Sequence, residues 1–331
     1  MKKSIYIFSS GEIKRKQNTI FFEGDKGKRK YIPIENTGEF LIFGEVSLNK
    51  KILEFFTQNE IILHFFNRYG YYVGSYYPRE HYNSGAVILK QTEYYIDPSK
   101  RLELASKFVK GAIQNMIKVL QYYNSRGVDL KEEIGRLENF LSSIPAQKNI
   151  DSLMAIEGNS KGIYYRSFNK IITSEGWEYG RRERRPPGDR LNALISFGNS
   201  LVYTYCLSEI YKTHLDPRIG FLHTANFRRF SLNLDVAEIF KPILSDRVIF
   251  SLVNKGMLKE KHFLKELGGL YLNDEGRKIF IEEMEKKLNA TISHRKLRRN
   301  VSYRTLIRME IYKVEKHLLG EEEYEPFVAR W

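Results

Sequence analysis

Residues 97–116 read DPSKRLELASKFVKGAIQNM. Proline fixes φ, lacks an amide donor and pushes the residue before it away from helical conformation, so Asp97-Pro98 marks a break in the chain. Beyond it Leu102, Ala105, Phe108, Val109, Ala112, Ile113 and Met116 recur at intervals of three and four, the period of an amphipathic helix. Before it, short runs rich in Ile, Phe, Tyr and Val are separated by Gly, Asn, Pro and charged residues. These runs (Ser4 to Phe8, Thr19 to Phe22, Lys30 to Ile34, Glu39 to Phe43, Ile61 to Phe65 and Tyr71 to Tyr77) predict strands at the spacing of a sandwich or barrel. Within Leu48 to Asn59, Leu48, Ile52, Phe55 and Phe56 fall at helical spacing, which predicts one short helix among the strands. The reading is an α+β chain: a β-rich, sandwich-like domain at 1–96, then a larger all-α domain at 97–331. In the second part Pro186-Pro187-Gly188-Asp189 reads as a stop and an N-cap, and Leu191, Leu194, Ile195, Val202 and Tyr205 continue as a helix.

Length and composition agree with a folded chain of about two domains: 331 residues, of which 42% are hydrophobic. The single cysteine, Cys206, excludes an internal disulfide and a cysteine-based zinc site, and points to a reducing, cytoplasmic setting. The start MKKSIYIFSSGEIK has too short an apolar stretch for an export signal. The uncharged run Leu191 to Ser208 carries Asn192, Ser196, Asn199, Ser200, Thr204 and Ser208, too polar to span a bilayer, so no membrane association is expected. Lysine and arginine number 54 against 40 acidic residues, a net charge of +14, which favours a polyanionic partner, nucleic acid first.

The positive charge is clustered. From Lys286 to Met309 there are eight basic residues and no acidic one; Arg295, Lys296, Arg298, Arg299, Arg304 and Arg308 read as a phosphate-contacting surface, with a solvated helix terminus as the alternative. Arg181, Arg182, Arg184 and Arg185, kept out of helix by Pro186-Pro187, read either as a second DNA contact or as a salt-bridged loop. Chemistry on phosphodiesters calls for hard oxygen ligands, sometimes with one imidazole. Asp235 and Glu238 stand three apart on one helical face beside apolar neighbours; Glu157 and His223 also sit in apolar surroundings. A metal site and a set of salt-bridged acids with a hydrogen-bonded core histidine both fit these four residues.

At the same residues the chain resembles the CRISPR-associated endonuclease and integrase Cas1 family. The resemblance is carried by EGNSKGIYY at 157–165, RRPPGDRLNALISFG at 184–198, GFLH at 220–223, SLNLDVAEIFKP at 231–242 and the ending YEPFVARW at 324–331. It implies a β-rich N-terminal domain that mediates a homodimer and a helical catalytic domain. It also implies a divalent cation, Mg2+ or Mn2+, bound by Glu157, His223 and Glu238 with Asp235 as a nearby acid. The implied partners are double-stranded and branched DNA and the Cas2 protein; the implied activity is phosphoryl transfer that inserts spacers into a CRISPR array, in antiviral defence. A branched-DNA nuclease without integration and a noncatalytic DNA-binding scaffold are the rival readings. Glu238 stands where aspartate is also common, and Asn199 where many relatives have an aromatic residue. Tyr164 and Tyr165 either contact DNA or pack, with packing favoured.

Overall fold

Alternating apolar residues pleat the N-terminal part into strands β1 (Lys3–Ile7), β2 (Gly11–Lys16), β3 (Thr19–Gly24), β4 (Arg29–Ile32), β5 (Thr37–Ile42), β6 (Val46–Ser47), β7 (Ile62–Phe66) and β8 (Tyr72–Tyr76). The structure, a computed structural model, describes residues 2–24, 27–79, 82, 84–224, 230–294 and 297–330. The strands form two four-stranded sheets, ordered β1-β5-β7-β8 and β4-β3-β2-β6. β5 and β7 run parallel, which requires a crossover; helix α1 (Lys50–Gln58) supplies it, started by the Asn49 side chain accepting from the amide of Ile52. Ile13, Ile20 and Ile32 of one sheet share a core with Phe40, Ile42 and Leu63 of the other and with Ile52 and Phe56 of α1. The sandwich-like expectation and the short helix are both met. β2 escaped the sequence reading because only Ile13 is buried in its GEIKRK.

The chain divides into compact units at Met1–His81 and Tyr82–Trp331, ahead of the boundary expected at residue 97. Asp97-Pro98 joins two helices instead, α2 (Gly85–Ile96) and α3 (Pro98–Asn124). Proline is tolerated at the first helical position, where its amide would have had no partner, and the Asp97 carboxylate accepts from the amides of Ser99 and Lys100. The break in pattern was real, but it reports a helix start and not a domain edge.

The second unit continues with α4 (Lys131–Ser143), α5 (Ile150–Arg166), α6 (Phe168–Ile171), α7 (Arg190–Ile210), α8 (Leu232–Phe240) and α9 (Arg247–Asn254). Then come hairpin β9 (Phe263–Glu266) with β10 (Gly269–Leu272), α10 (Asp274–Asn289), hairpin β11 (Thr291–His294) with β12 (Arg299–Ser302), and α11 (Tyr303–Leu318). The two hairpins correct the all-α reading of this unit. In the second hairpin, charge hid a strand pattern resting on Thr291, Ile292 and Val301. Among the described residues no helix is long and apolar enough to cross a membrane.

The chain end fixes two of these helices to each other. Asn115 of α3 donates to the carbonyls of Ile239 (3.0 Å) and Phe327 (2.8 Å) and accepts from the amide of Ala329 (2.8 Å). Phe327 stacks on Phe240, and Tyr324 donates to the buried Glu310 of α11. Gly111 is required by close approach: a Cβ there would lie 2.5 Å from Pro326. α8 is therefore held by a buried side-chain amide with all its bonds made. Removing that amide takes the partner from two buried backbone groups and one half-buried one, so Asn115→Ala should cost about 3 kcal/mol in urea unfolding. A loss under about 1 kcal/mol would show that the clamp is not structural.

Candidate active site

On α5 the buried positions Leu153, Ile156, Glu157, Ser160, Ile163 and Tyr164 recur at helical spacing, so Glu157 is carried inward on an otherwise mostly apolar stripe. α8 is buried almost all round, and it too carries acids, Asp235 and Glu238. Two carboxylates in such surroundings need cations. Lys161, one turn beyond Glu157, ion-pairs with Glu157 Oε1 and places its Nζ 2.6 Å from Glu238 Oε2. Lys241, one turn beyond Glu238, lies 2.5 Å from the other oxygen, Oε1, and also donates to the Tyr203 hydroxyl. Burial works to raise the Glu238 pKa, but Lys161, Lys241 and His223 outweigh it and hold the carboxyl well below the usual range. Lys161 shows the converse: burial opposes its charge, yet Glu238 and Glu157 raise its pKa well above the ordinary value.

His223 is held by Asp235. Asp235 Oδ2 accepts from the amides of Phe221 (2.5 Å) and Leu222 (3.0 Å), and Oδ1 accepts from the amide of His223 (3.0 Å). The His223 Nδ1 is 2.7 Å from Oδ1. A carboxylate oxygen there accepts, so Nδ1 carries a proton, and Nε2 is the ring nitrogen left for a ligand. Gly220 permits this: a Cβ would sit 2.9 Å from Asp235 Oδ2 and against the backbone at the start of α8. Ser231 completes the tie, accepting from the amide of Gly220 and donating to the carbonyl of Arg218.

The structure therefore brings Glu157 and Glu238 together across Lys161, and His223 together with Asp235. Among the described residues no three histidine, cysteine or acidic side chains stand where together they could hold a metal ion. The donors nonetheless fit a hard cation. Glu157 Oε1 and Glu238 Oε2 are buried, and both face a single ammonium, that of Lys161.

The arginines divide into two groups. Arg182 bonds Asn192 Oδ1 and Ser196 Oγ; Arg304 is buried against Glu285 and the Tyr205 ring; Arg308 pairs with the fully buried Glu209. All three are engaged within the fold, Arg182 by hydrogen bonds and Arg304 and Arg308 by salt bridges, so the last two match neither a phosphate-contacting surface nor a merely solvated helix terminus. Arg181, Arg184, Arg185, Arg298 and Arg299 are exposed, and Arg181 pairs with Glu183. Arg295 and Lys296 lie outside the described residues. Tyr164 and Tyr165 are buried among Phe168, Tyr179 and each other, so they pack. Asn199 is buried on α7.

Sequence reading missed Lys161, Lys241 and Asp246. The two lysines were visible as charge pairs four and three residues beyond their glutamates. Asp246 had no such signal. Pro242, lacking an amide, opens a wide turn over Pro242–Asp246, closed by the Asp246 amide on the Lys241 carbonyl. This turn leaves both Asp246 carboxyl oxygens buried without a hydrogen-bond partner among the described residues.

A profile of the family "CRISPR associated protein Cas1" matches residues 5–286. A CRISPR-associated endonuclease Cas1 of Thermodesulfovibrio yellowstonii is 61% identical over 331 residues, covering all of both chains. The chain belongs to the Cas1 family. The solved structure of a Cas1 protein from Thermotoga maritima superposes with a TM-score of 0.89 at 48% identity, covering 99% of this chain and 100% of that one. A casposase solved bound to its integration product has the same fold, with a TM-score of 0.89 at 20% identity over 99% of this chain and 93% of that one. The family resemblance read from the five motifs is thereby confirmed.

Burial pushes the Asp246 carboxyl up to about 7, against smaller lowering effects of Tyr164, Lys241 and Lys161. The unfolded chain ionises this group at the ordinary carboxylate pKa, so its stabilising contribution is full below that value and lost as pH rises through about 7. Asp246→Asn removes the titration. The stability of the variant relative to the parent should therefore climb by a few kcal/mol between about pH 4 and pH 8 in urea melts. A difference independent of pH would show that Asp246 is already ionised in the fold.

Proposed function

We propose that this chain is a metal-dependent DNA endonuclease and integrase of CRISPR adaptation, acting by phosphoryl transfer. The observation that supports it is the pair of buried carboxylate oxygens of Glu157 and Glu238 gathered on one ammonium, next to a histidine whose Nδ1 is fixed by a carboxylate. In this reading Glu157, Glu238 and His223 Nε2 hold Mg2+ or Mn2+, and Asp235 positions His223. A divalent cation so bound polarises a scissile phosphodiester and stabilises its developing charge. The chain's own part is to hold the Glu238 carboxyl ionised, bring Glu157 beside it and fix the proton on His223 Nδ1.

The exposed arginines Arg181, Arg184, Arg185, Arg298 and Arg299, with Arg295 and Lys296, are proposed to contact DNA phosphates. Two separate basic segments suit two DNA duplexes or a branched substrate. A homodimer through the N-terminal unit and association with Cas2 complete the reading; the outward Val73 on edge strand β8 supports a further contact there. Membership of a family with a curated member named an endonuclease, and the fold shared with a casposase solved on its integration product, support the catalytic part.

With Mn2+, Cas2 and a labelled fragment, we expect joined products on a repeat-bearing target only when the fragment has a free 3′ hydroxyl; a dideoxy end should stop joining. Glu157→Gln, Glu238→Gln and His223→Ala should each abolish cleavage and joining with DNA affinity kept. Asp235→Asn should lose about 10- to 100-fold, as expected of a group that acts through the histidine. Cleavage without joining would leave a nuclease, and undiminished activity in the His223 variant would remove the imidazole from the reaction.

A further inference from the structure

We infer that Lys161 is a tethered counter-cation that occupies the place of the divalent ion between Glu157 and Glu238 and competes with it for them. The inference rests on the metal reading above and concerns what that metal must displace. Glu157 and Glu238 carry two negative charges, and Lys161 and Lys241 carry two positive ones, so the buried set is balanced as it stands. Adding a divalent ion to a balanced, poorly solvated set leaves two uncompensated positive charges next to it. Expelling one ammonium removes half of that excess.

The geometry selects which. Lys241 is hydrogen-bonded both to Glu238 Oε1 and to the Tyr203 hydroxyl, its side chain is 4% exposed, and its ammonium lies over the Tyr203 ring. Lys161 is the more exposed of the two. Its ammonium sits between Glu157 Oε1 and Glu238 Oε2, the two oxygens a cation there would take, and its side chain is 14% exposed against 4% for Lys241. A four-carbon stem anchored one turn beyond Glu157 can swing the ammonium toward solvent while the helix stays in place. Lys161 thus has two positions to occupy: on the carboxylates without metal, and away from them with it. In the first position it keeps two like charges from driving the site apart; in the second it yields the locus.

The experiment uses the full chain and Mn2+ alone, with bound ion counted by the loss of the free-Mn2+ electron paramagnetic resonance signal. Lys161→Met and Lys161→Gln should bind Mn2+ on the order of tenfold more tightly than the parent chain, because no ammonium has to be expelled. Unchanged or weaker affinity in both variants overturns the inference. If in that case Glu157→Gln still loses Mn2+ binding, the metal reading stands and only the role of Lys161 falls. If the parent chain and both Lys161 variants all fail to bind Mn2+, the metal reading falls and takes this inference with it. The parent chain provides a second measurement that does not depend on a variant folding. Acetylation of Lys161, followed by peptide mass spectrometry, should speed up several-fold when Mn2+ is added, and a rate unmoved by bound Mn2+ overturns the inference.

Discussion

Two carboxylates buried from water repel each other and lose their hydration, and the second unit is built to make that arrangement tolerable. Glu157 and Glu238 come from different helices, α5 and α8, and are brought onto the same ammonium. Truncating a partner in a buried, paired set is costly because it leaves an uncompensated charge. The helices that carry them must therefore be held rigidly. Asn115 and the chain end fix α8 to α3, and a mostly apolar stripe fixes α5. What reads as a motif at residues 324–331 is, physically, the clamp on the helix that bears Asp235 and Glu238.

Asp235 explains how a histidine outside any helix is positioned as firmly as one inside. Three consecutive backbone amides, of Phe221, Leu222 and His223, point at its carboxylate, and so does the ring nitrogen of His223. One acid thus orders a segment and fixes the proton on His223 Nδ1, which is why its role differs from that of Glu238, three residues along the same helix. Glu238 faces lysines; Asp235 faces amides. The Glu238 side chain brings its Oε2 within 2.6 Å of the Lys161 ammonium.

Most of the N-terminal unit was legible because alternation survives in isolated strands; β2 was not, since charge surrounds its one buried residue. The Asp97-Pro98 signal was read correctly as a break and wrongly as a domain edge. A proline at a helix start looks the same in sequence whether or not a new unit begins there. In the site, spacing placed Asp235 and Glu238 on one helix, but could not show that they face different partners. Charge counting placed Arg304 and Arg308 with the surface arginines, whereas the fold uses them against Glu285 and Glu209. Buried acids elsewhere in the chain decide which basic residues remain outside, and that pairing is a property of the tertiary structure. Asp246 was invisible for the same reason: its burial follows from a wide turn that one proline opens.

The central claim is that Glu157, Glu238 and His223 bind one divalent cation while Asp235 keeps its hold on the histidine. Anomalous diffraction from crystals of this chain soaked in Mn2+ tests it most directly. The account predicts a single strong peak ligated by a carboxylate oxygen of each glutamate and by His223 Nε2, with Nδ1 still on Asp235 and the Lys161 ammonium displaced. A peak elsewhere, or Mn2+ bound with His223 turned away, would contradict it.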